Sequence, residues 1–222
     1  MSDLAAFRSF TALGSARPAS SWCFSSGKRL FDVLFALTVL VAACPLMIVL
    51  ALLIKTTSRG PVLFHHRRVG QDGRRFLLLK FRSMTTEAVA GLNLTRGGDP
   101  RVTRVGRFLR RTKVDELPQM YNVLRGEMSI VGPRPDVPEF MNTLGADLRP
   151  ALLLKPGVTS VASVEFCHEE SDLAGVPVEQ IRSFYIRELL PRKVALDLEY
   201  ARRATFCSDL RVIARTAAIL LR

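Results

Sequence analysis

Cysteine, aromatic residues and acidic charge are all scarce in this 222-residue chain, and each scarcity excludes something. Four cysteines (Cys23, Cys44, Cys167, Cys207) stand far apart, without paired spacing. That pattern argues against a disulfide framework and a zinc site, and it fits a reducing compartment. Aromatic residues make up 8% of the chain, and few of them interleave with the arginines. A stacking platform for single-stranded nucleic acid needs that interleaving, and no nucleic-acid-binding motif occurs. Also missing are a Walker-type loop, a G-x-G-x-x-G turn and a G-x-S-x-G elbow, so P-loop hydrolysis, Rossmann cofactor binding and α/β-hydrolase chemistry lack support. No internal repeat is present. At this length one domain, or one domain with an appendage, is expected.

What is present is segregated. Hydrophobic residues reach 48%, too many for a disordered polyelectrolyte. The mean hydropathy is +0.18 although 23% of residues are charged. The net charge of +12 is concentrated: residues 55–115 hold 15 Lys/Arg against 4 Asp/Glu. Such a block attracts polyanions: nucleic acid, an anionic membrane surface or phosphorylated substrates. Just before it, Leu30 to Ile54 form an apolar run of 25 residues with one charge (Asp32) and one proline (Pro45). As a helix the run would reach about 37 Å, enough to cross a hydrocarbon core of about 30 Å. Val41-Ala42-Ala43-Cys44 resembles a lipidation box, but the apolar run continues ten residues past Cys44. Lys28 and Arg29 precede the run, and Lys55, Arg59, Arg67 and Arg68 follow it, so both ends favour the cytoplasmic side. A simple spanning helix is the plainer reading, although it conflicts with that symmetry. A re-entrant helix satisfies it if broken near the Cys44-Pro45 pair, where proline removes an N–H and clashes with the Val41 carbonyl.

The remaining chain reads as short mixed elements, an α+β domain. Residues 1–27, rich in Ser and Ala, read as a disordered leader, 28–58 as a membrane segment, spanning or re-entrant, and 59–222 as one domain. Residues 61–82 read as a hairpin turning at Gly70-Gln71-Asp72-Gly73. Residues 101–111 place a basic stripe beside an apolar one on a short helix. A second helix runs from Asp115 to about Leu124, with Arg125-Gly126 as its stop. Ser129-Ile130-Val131 reads as a strand, 151–164 as extended, and about 192–222 as helix with Leu210, Ile213, Ala214, Ala217 and Leu221 on one face.

Two places could carry chemistry. Asp115 and Glu116 follow the most basic block. They could simply favour a helix start. Equally, Arg110, Arg111 and Lys113 would keep a carboxylate ionised as a nucleophile or hard-cation ligand, and hold a phosphate against it. In Gly132-Pro133-Arg134-Pro135, two prolines restrict the backbone around Arg134, which suits bidentate phosphate binding; a solvent-exposed turn is the plainer alternative. His65 and His66 are adjacent and would alternate across a strand, which does not suit metal ligation.

Lys28-Arg29-Leu30-Phe31-Asp32 resembles the start of the bacterial sugar transferases, the monotopic polyprenyl-phosphate phosphoglycosyl transferases. So do Arg68-Val69-Gly70-Gln71-Asp72-Gly73, Leu79-Lys80-Phe81-Arg82-Ser83-Met84, Asp99-Pro100-Arg101-Val102-Thr103, Asp115-Glu116-Leu117-Pro118-Gln119 and Ser129-Ile130-Val131-Gly132-Pro133-Arg134-Pro135, in that order. The resemblance implies transfer of a sugar 1-phosphate from a UDP-sugar to polyprenyl (undecaprenyl) phosphate, releasing UMP, with Mg²⁺ as cofactor. That step opens polysaccharide or glycoconjugate synthesis. It implies Asp115 as nucleophile in a covalent phosphosugar intermediate, Glu116 as its helper, and both as metal ligands. It places phosphate-binding arginines at Arg110 and Arg134, with Arg111 beside them. It further implies a re-entrant helix broken at Cys44-Pro45, and a bacterial inner membrane with the catalytic domain on the cytoplasmic face. Expected partners are the UDP-sugar, polyprenyl phosphate and anionic membrane lipids, not nucleic acid; a homo-oligomer stays open. Two departures stand out: Cys44-Pro45 replaces the family's Ser-Pro, and the 160–168 stretch is atypical, which leaves the donor sugar open. The rival reading is a non-catalytic basic scaffold that binds anionic lipids; it gives no role to Asp115-Glu116 beside a rigid arginine loop.

Overall fold

The computed structural model describes residues 19–85, 99–167, 169 and 173–220. It has mixed helix and sheet, with a two-stranded hairpin, a parallel strand pair, one long N-terminal helix and several short ones. Of the segment read as a disordered leader, residues 1–18 lie outside the described residues, but 19–27 pack against the body. Ala19 is buried, Ser21–Phe24 form a 3-10 turn, and the Trp22 indole donates to Asp209 Oδ2 at 2.9 Å. A Ser/Ala-rich composition hid this, because one tryptophan supplies the anchor.

Helix α1, Ser26–Thr57, carries the apolar run, and the Ser25 hydroxyl caps it by accepting from Lys28 N–H at 3.0 Å. Its polar start is fixed to the body: the Arg29 guanidinium donates to the Val123 and Leu124 carbonyls at 2.6 and 2.8 Å. Asp32 accepts from Ile130 N–H at 3.0 Å, and Lys28 pairs with Asp209 at 2.6 Å. Its far end returns to the same body, with Leu50 and Ile54 packed on Phe81 and Leu109. There Arg82 donates to the Ser58 carbonyl and hydroxyl, both at 2.7 Å. Between these anchors Val41, Cys44, Pro45 and Leu46 are exposed, as are Leu30, Leu34, Ile48 and Leu52. So large an apolar surface is not tolerated in water, and it makes the chain membrane-associated. Helical hydrogen bonding runs from Ser26 to Thr57 with Cys44 and Pro45 inside it, so a bend at this pair would be a kink within one helix and not a gap between two.

The hairpin forms as expected, β1 (Leu63–Val69) pairing antiparallel with β2 (Arg75–Phe81), with Leu63 opposite Phe81 and Val69 opposite Arg75. Asp72 takes φ 57° at the turn. Helix α2 (Arg104–Thr112) and helix α3 (Gln119–Arg125) follow, then β3 (Ser129–Val131) and the single-turn helix α4 (Pro138–Met141). β3 pairs in parallel with β4 (Gly157–Thr159). Gly132 and Gly157 are needed where these backbones meet: a Cβ on Gly132 would stand 2.4 Å from the Lys155 carbonyl, and one on Gly157 would stand 2.2 Å from Gly132 N.

The extended reading of 151–164 holds only at β4. Arg149–Leu153 is a 3-10 turn, and Ser160 caps helix α5 (Val161–Glu165) by accepting from Ser163 N–H at 2.9 Å. Helices α6 (Val178–Phe184) and α7 (Leu190–Arg203) are joined by a π-helical turn, Tyr185–Leu189. The tail is helical but breaks before α8 (Phe206–Leu220), where the Thr205 hydroxyl accepts from Ser208 N–H at 3.2 Å. The docked face of α8 carries Asp209 and Val212, while Leu210, Ala214 and Ala217 of the expected apolar face stay exposed; Leu221 lies outside the described residues. An exposed apolar face beside α1 is what an interfacial helix presents.

Candidate active site

The acidic pair sits where the chain leaves α2. Lys113, the C-cap, takes φ 55°, a left-handed conformation that non-glycine residues seldom adopt. The reversal ends α2 and starts the 3-10 turn Val114–Glu116, in which Glu116 N–H donates to the Lys113 carbonyl at 3.1 Å. Asp115 is not a helix cap: α3 begins at Gln119, behind Pro118, with no side-chain cap. Asp115 is 6% exposed, and its Oδ1 is buried without a hydrogen-bond partner.

Glu116 is engaged instead. Its Oε1 accepts from Lys80 Nζ at 2.7 Å and stands 3.6 Å from Arg134 Nη2. Sequence reasoning gave Lys80 no role, although the signal was there: the two-residue period of β2 puts Lys80 on the same face as buried Phe76 and Leu78. A lysine on the inward face of a strand needs a partner. Asn122 fixes β2 to α3, accepting from Leu79 N–H at 3.0 Å and donating to the Leu77 carbonyl at 2.8 Å. One buried amide thus holds the lysine strand against the helix that follows the acidic pair.

The two carboxyls are driven apart. Burial pushes Asp115 up to about 6 against the pull of Lys80, and the Glu116 charge adds to the rise; Lys113 and Arg110 moderate it. Burial opposes ionisation of Glu116 as well, but Lys80 and Arg134 outweigh it and hold that carboxyl below the usual carboxylate range. Desolvation inside the turn thus exceeds the attraction of its cations, yet a carboxyl near 6 is still mostly ionised at neutral pH.

The structure brings Asp115, Glu116 and Arg134 together. The Arg134 N–H donates to Asp197 Oδ2 at 3.3 Å, and Gly157 N–H donates to the Pro133 carbonyl at 2.9 Å, so the arginine loop is held through its backbone. Asp197, pushed up to about 6 by burial, also accepts from Ala162 N–H at 2.9 Å. Arg110 lies within electrostatic reach of Asp115. Arg111 does not join them: it is exposed on α2, and no contact of it with the acidic pair occurs among the described residues. Cys44 and Pro45 sit exposed in the middle of α1, outside this constellation.

A hard cation fits the site only in part. Among the described residues no group of three or more His, Cys, Asp or Glu forms a metal cage. The unpartnered Asp115 Oδ1 is a suitable oxygen ligand, whereas Glu116 already gives Oε1 to two cations. One carboxylate plus substrate phosphates is an ordinary way to hold Mg²⁺. A cavity of about 250 Å³ lies between α1, β3 and α7, but the acidic pair does not line it; charge, rather than enclosure, marks this site.

The family model described as Bacterial sugar transferase matches residues 23–222. Among similar proteins, the undecaprenyl-phosphate glucose phosphotransferase of Komagataeibacter xylinus is 40% identical over 206 residues, covering 89% of this chain and 36% of the relative. The UDP-glucose:undecaprenyl-phosphate glucose-1-phosphate transferase of Klebsiella pneumoniae is 36% identical, covering 84% of this chain and 38% of the relative. The undecaprenyl-phosphate galactose phosphotransferase of Salmonella typhimurium is 34% identical, covering 88% and 40%. The chain spans well under half the length of these relatives.

Proposed function

The chain belongs to the bacterial sugar transferase family, and from that membership we propose that it moves a sugar 1-phosphate from a UDP-sugar to undecaprenyl phosphate. The observation that carries this reading is the buried, unpartnered Asp115 oxygen beside a Glu116 carboxylate that gathers Lys80 and Arg134.

In the proposed reaction an Asp115 carboxylate oxygen attacks the sugar-bearing phosphorus of the donor. The bond from that phosphorus to the bridging oxygen breaks, and UMP leaves with its electron pair. An oxygen of undecaprenyl phosphate then attacks the same phosphorus, the aspartyl–phosphorus bond breaks, and the carboxylate returns. Two steps let one compact site serve two bulky substrates in turn. Lys80 and Arg134 balance the phosphate charge that the donor brings, and Glu116 holds Lys80 beside it at 2.7 Å. Asp115 is the residue that would hold Mg²⁺ together with the donor's phosphates, and the ion would neutralise diphosphate charge there. Burial leaves Asp115 weakly solvated, so little hydration has to be stripped before attack.

The membrane arrangement supports the same reading. Both ends of α1 are fixed to one body, so the apolar middle dips into the bilayer from the side on which the body lies. We place that body on the cytoplasmic face of the inner membrane, because Lys and Arg flank both ends of the run. The acceptor's phosphate would then reach the acidic pair at headgroup depth.

The test is a panel of UDP-sugars supplied with undecaprenyl phosphate and Mg²⁺, reading UMP release, with mass spectrometry of protein exposed to donor alone. A phosphosugar adduct at Asp115 is expected. Turnover without any adduct at position 115 would refute the covalent route, and no UMP from any donor would refute the transfer.

A further inference from the structure

Arg134 presents a physical puzzle. Its side chain is 40% exposed, and its one described ion pair, with Glu116, is long at 3.6 Å. So loose a contact does not immobilise a side chain with this much rotamer freedom. Its precision must come from the backbone beneath it, and the next acidic residue shows how.

Asp136, two residues on, is 7% exposed and fully committed. Its Oδ1 accepts from Arg68 Nη1 at 3.0 Å and from Val137 N–H at 2.7 Å. Its Oδ2 accepts a short hydrogen bond from the Tyr185 hydroxyl, and its carbonyl accepts from Val69 N–H at 3.0 Å. The turn is thus pinned to β1 on one side and to the C-terminal helices on the other. Tyr185 is itself gripped: it is 4% exposed, its ring packs on Phe140 with centroids 5.1 Å apart, and the Lys193 ammonium lies 5.3 Å from its centroid. Lys193 is held in turn by Glu169 at 2.8 Å. Tyr185 opens the π-helical turn between α6 and α7, a local widening that re-aims side chains and is frequent at functional sites.

Burying an acid, a phenol and a guanidinium together costs desolvation that an apolar trio would not. A fold that needed only cohesion here has a cheaper solution, so the cost points to geometry. We propose that Tyr185 and Asp136 are positioning residues which, with Arg68, clamp the turn after Pro133 so that Arg134 presents its guanidinium to the donor's diphosphate. The inference rests on the transfer reading above and adds residues that neither the acidic pair nor the sequence motifs assign.

The test is a double-mutant cycle of Tyr185→Phe and Arg134→Lys in the full chain in detergent. UDP binding is read by calorimetry, UMP release from donors by kcat and KM, and folding by thermal melts. Tyr185→Phe is expected to weaken UDP binding and to raise the donor KM about tenfold, with kcat within about twofold. In the Arg134→Lys background the same change should cost less than about twofold, because there is no fork left to aim. Asp136→Asn should reproduce the KM effect if Tyr185→Phe proves unstable. Equal losses in both backgrounds, unchanged UDP binding, or a wild-type protein that does not bind UDP would each overturn the clamp. A wild-type protein that binds UDP with this non-additivity but releases no UMP would uphold the clamp and refute the transfer reading.

Discussion

The membrane helix and the acidic recess break opposite rules of soluble proteins. Along α1, Leu34, Val41, Ile48 and Leu52 are apolar and left outside. In the recess, Asp115, Glu116 and Lys80 are charged groups drawn inside or partly inside. Neither region is satisfied by the protein alone. One exposes apolar surface that hydrocarbon would cover, the other leaves Asp115 Oδ1 without a hydrogen-bond partner, and Arg29 and Arg82 tie α1 to the body that carries the acidic pair. The contrast teaches that the same free-energy cost, surface in the wrong medium, marks a binding surface in either direction.

Four experiments would break or sharpen that comparison. Asp115→Asn should have the largest effect, abolishing UMP release by at least about a thousandfold. It should also raise stability by on the order of 1–3 kcal/mol at neutral pH, since it removes a buried carboxyl whose ionisation burial resists. A melt that falls together with the activity would mean that Asp115 is a structural charge instead. Glu116→Gln comes next. It strands Lys80 and releases Arg134, so activity should drop roughly ten- to a hundredfold and stability by about 1–3 kcal/mol. A change below twofold would show that the two cations need no counter-ion.

The third experiment is acidification. With Asp115 near 6, adduct formation should lose about tenfold per pH unit below that value, well above the range of an ordinary aspartate. Stability runs the other way. The folded state of Asp115 binds its proton more tightly than the unfolded chain, so raising the pH from about 4 to 6 should cost stability. Asp197 has the same sign, so the part of the slope that Asp115→Asn removes is the quantity to measure. A rate profile flat down to pH 5 would contradict the burial argument. The smallest effect belongs to the other region. Ile48→Lys should leave the melting of the body within about 0.5 kcal/mol while weakening membrane retention by about 2–3 kcal/mol. Equal loss in both assays would mean that this part of α1 packs on protein instead of lipid.

Much of the fold was legible because its signals are local. The β1–β2 turn announces itself in Gly70-Gln71-Asp72-Gly73, and the apolar run in its length. Elsewhere local signals misled. Residues 151–164 looked extended because the cap that bends them is one serine hydroxyl, Ser160, whose role shows only when Ser163 turns back to it. The leader looked disordered because Trp22 finds Asp209 across 187 positions of chain. In the site, Asp115, Glu116 and Arg134 stood out by residue type and rigid flanks. Lys80 could have been found from strand period alone, but Asp136 and Tyr185 could not, being 49 positions apart.

The order of charges and apolar residues along the chain therefore determined that this protein meets a membrane and carries a block of cations suited to anions, since composition and short-range spacing are enough to segregate oil from cations. Which of two adjacent acids keeps a free oxygen was decided only by folding. Desolvation and ion pairing depend on what lies within a few ångströms, and here Lys80 and Arg134, brought from opposite sides of the acidic pair, both reach for Glu116 and leave Asp115 Oδ1 without a hydrogen bond.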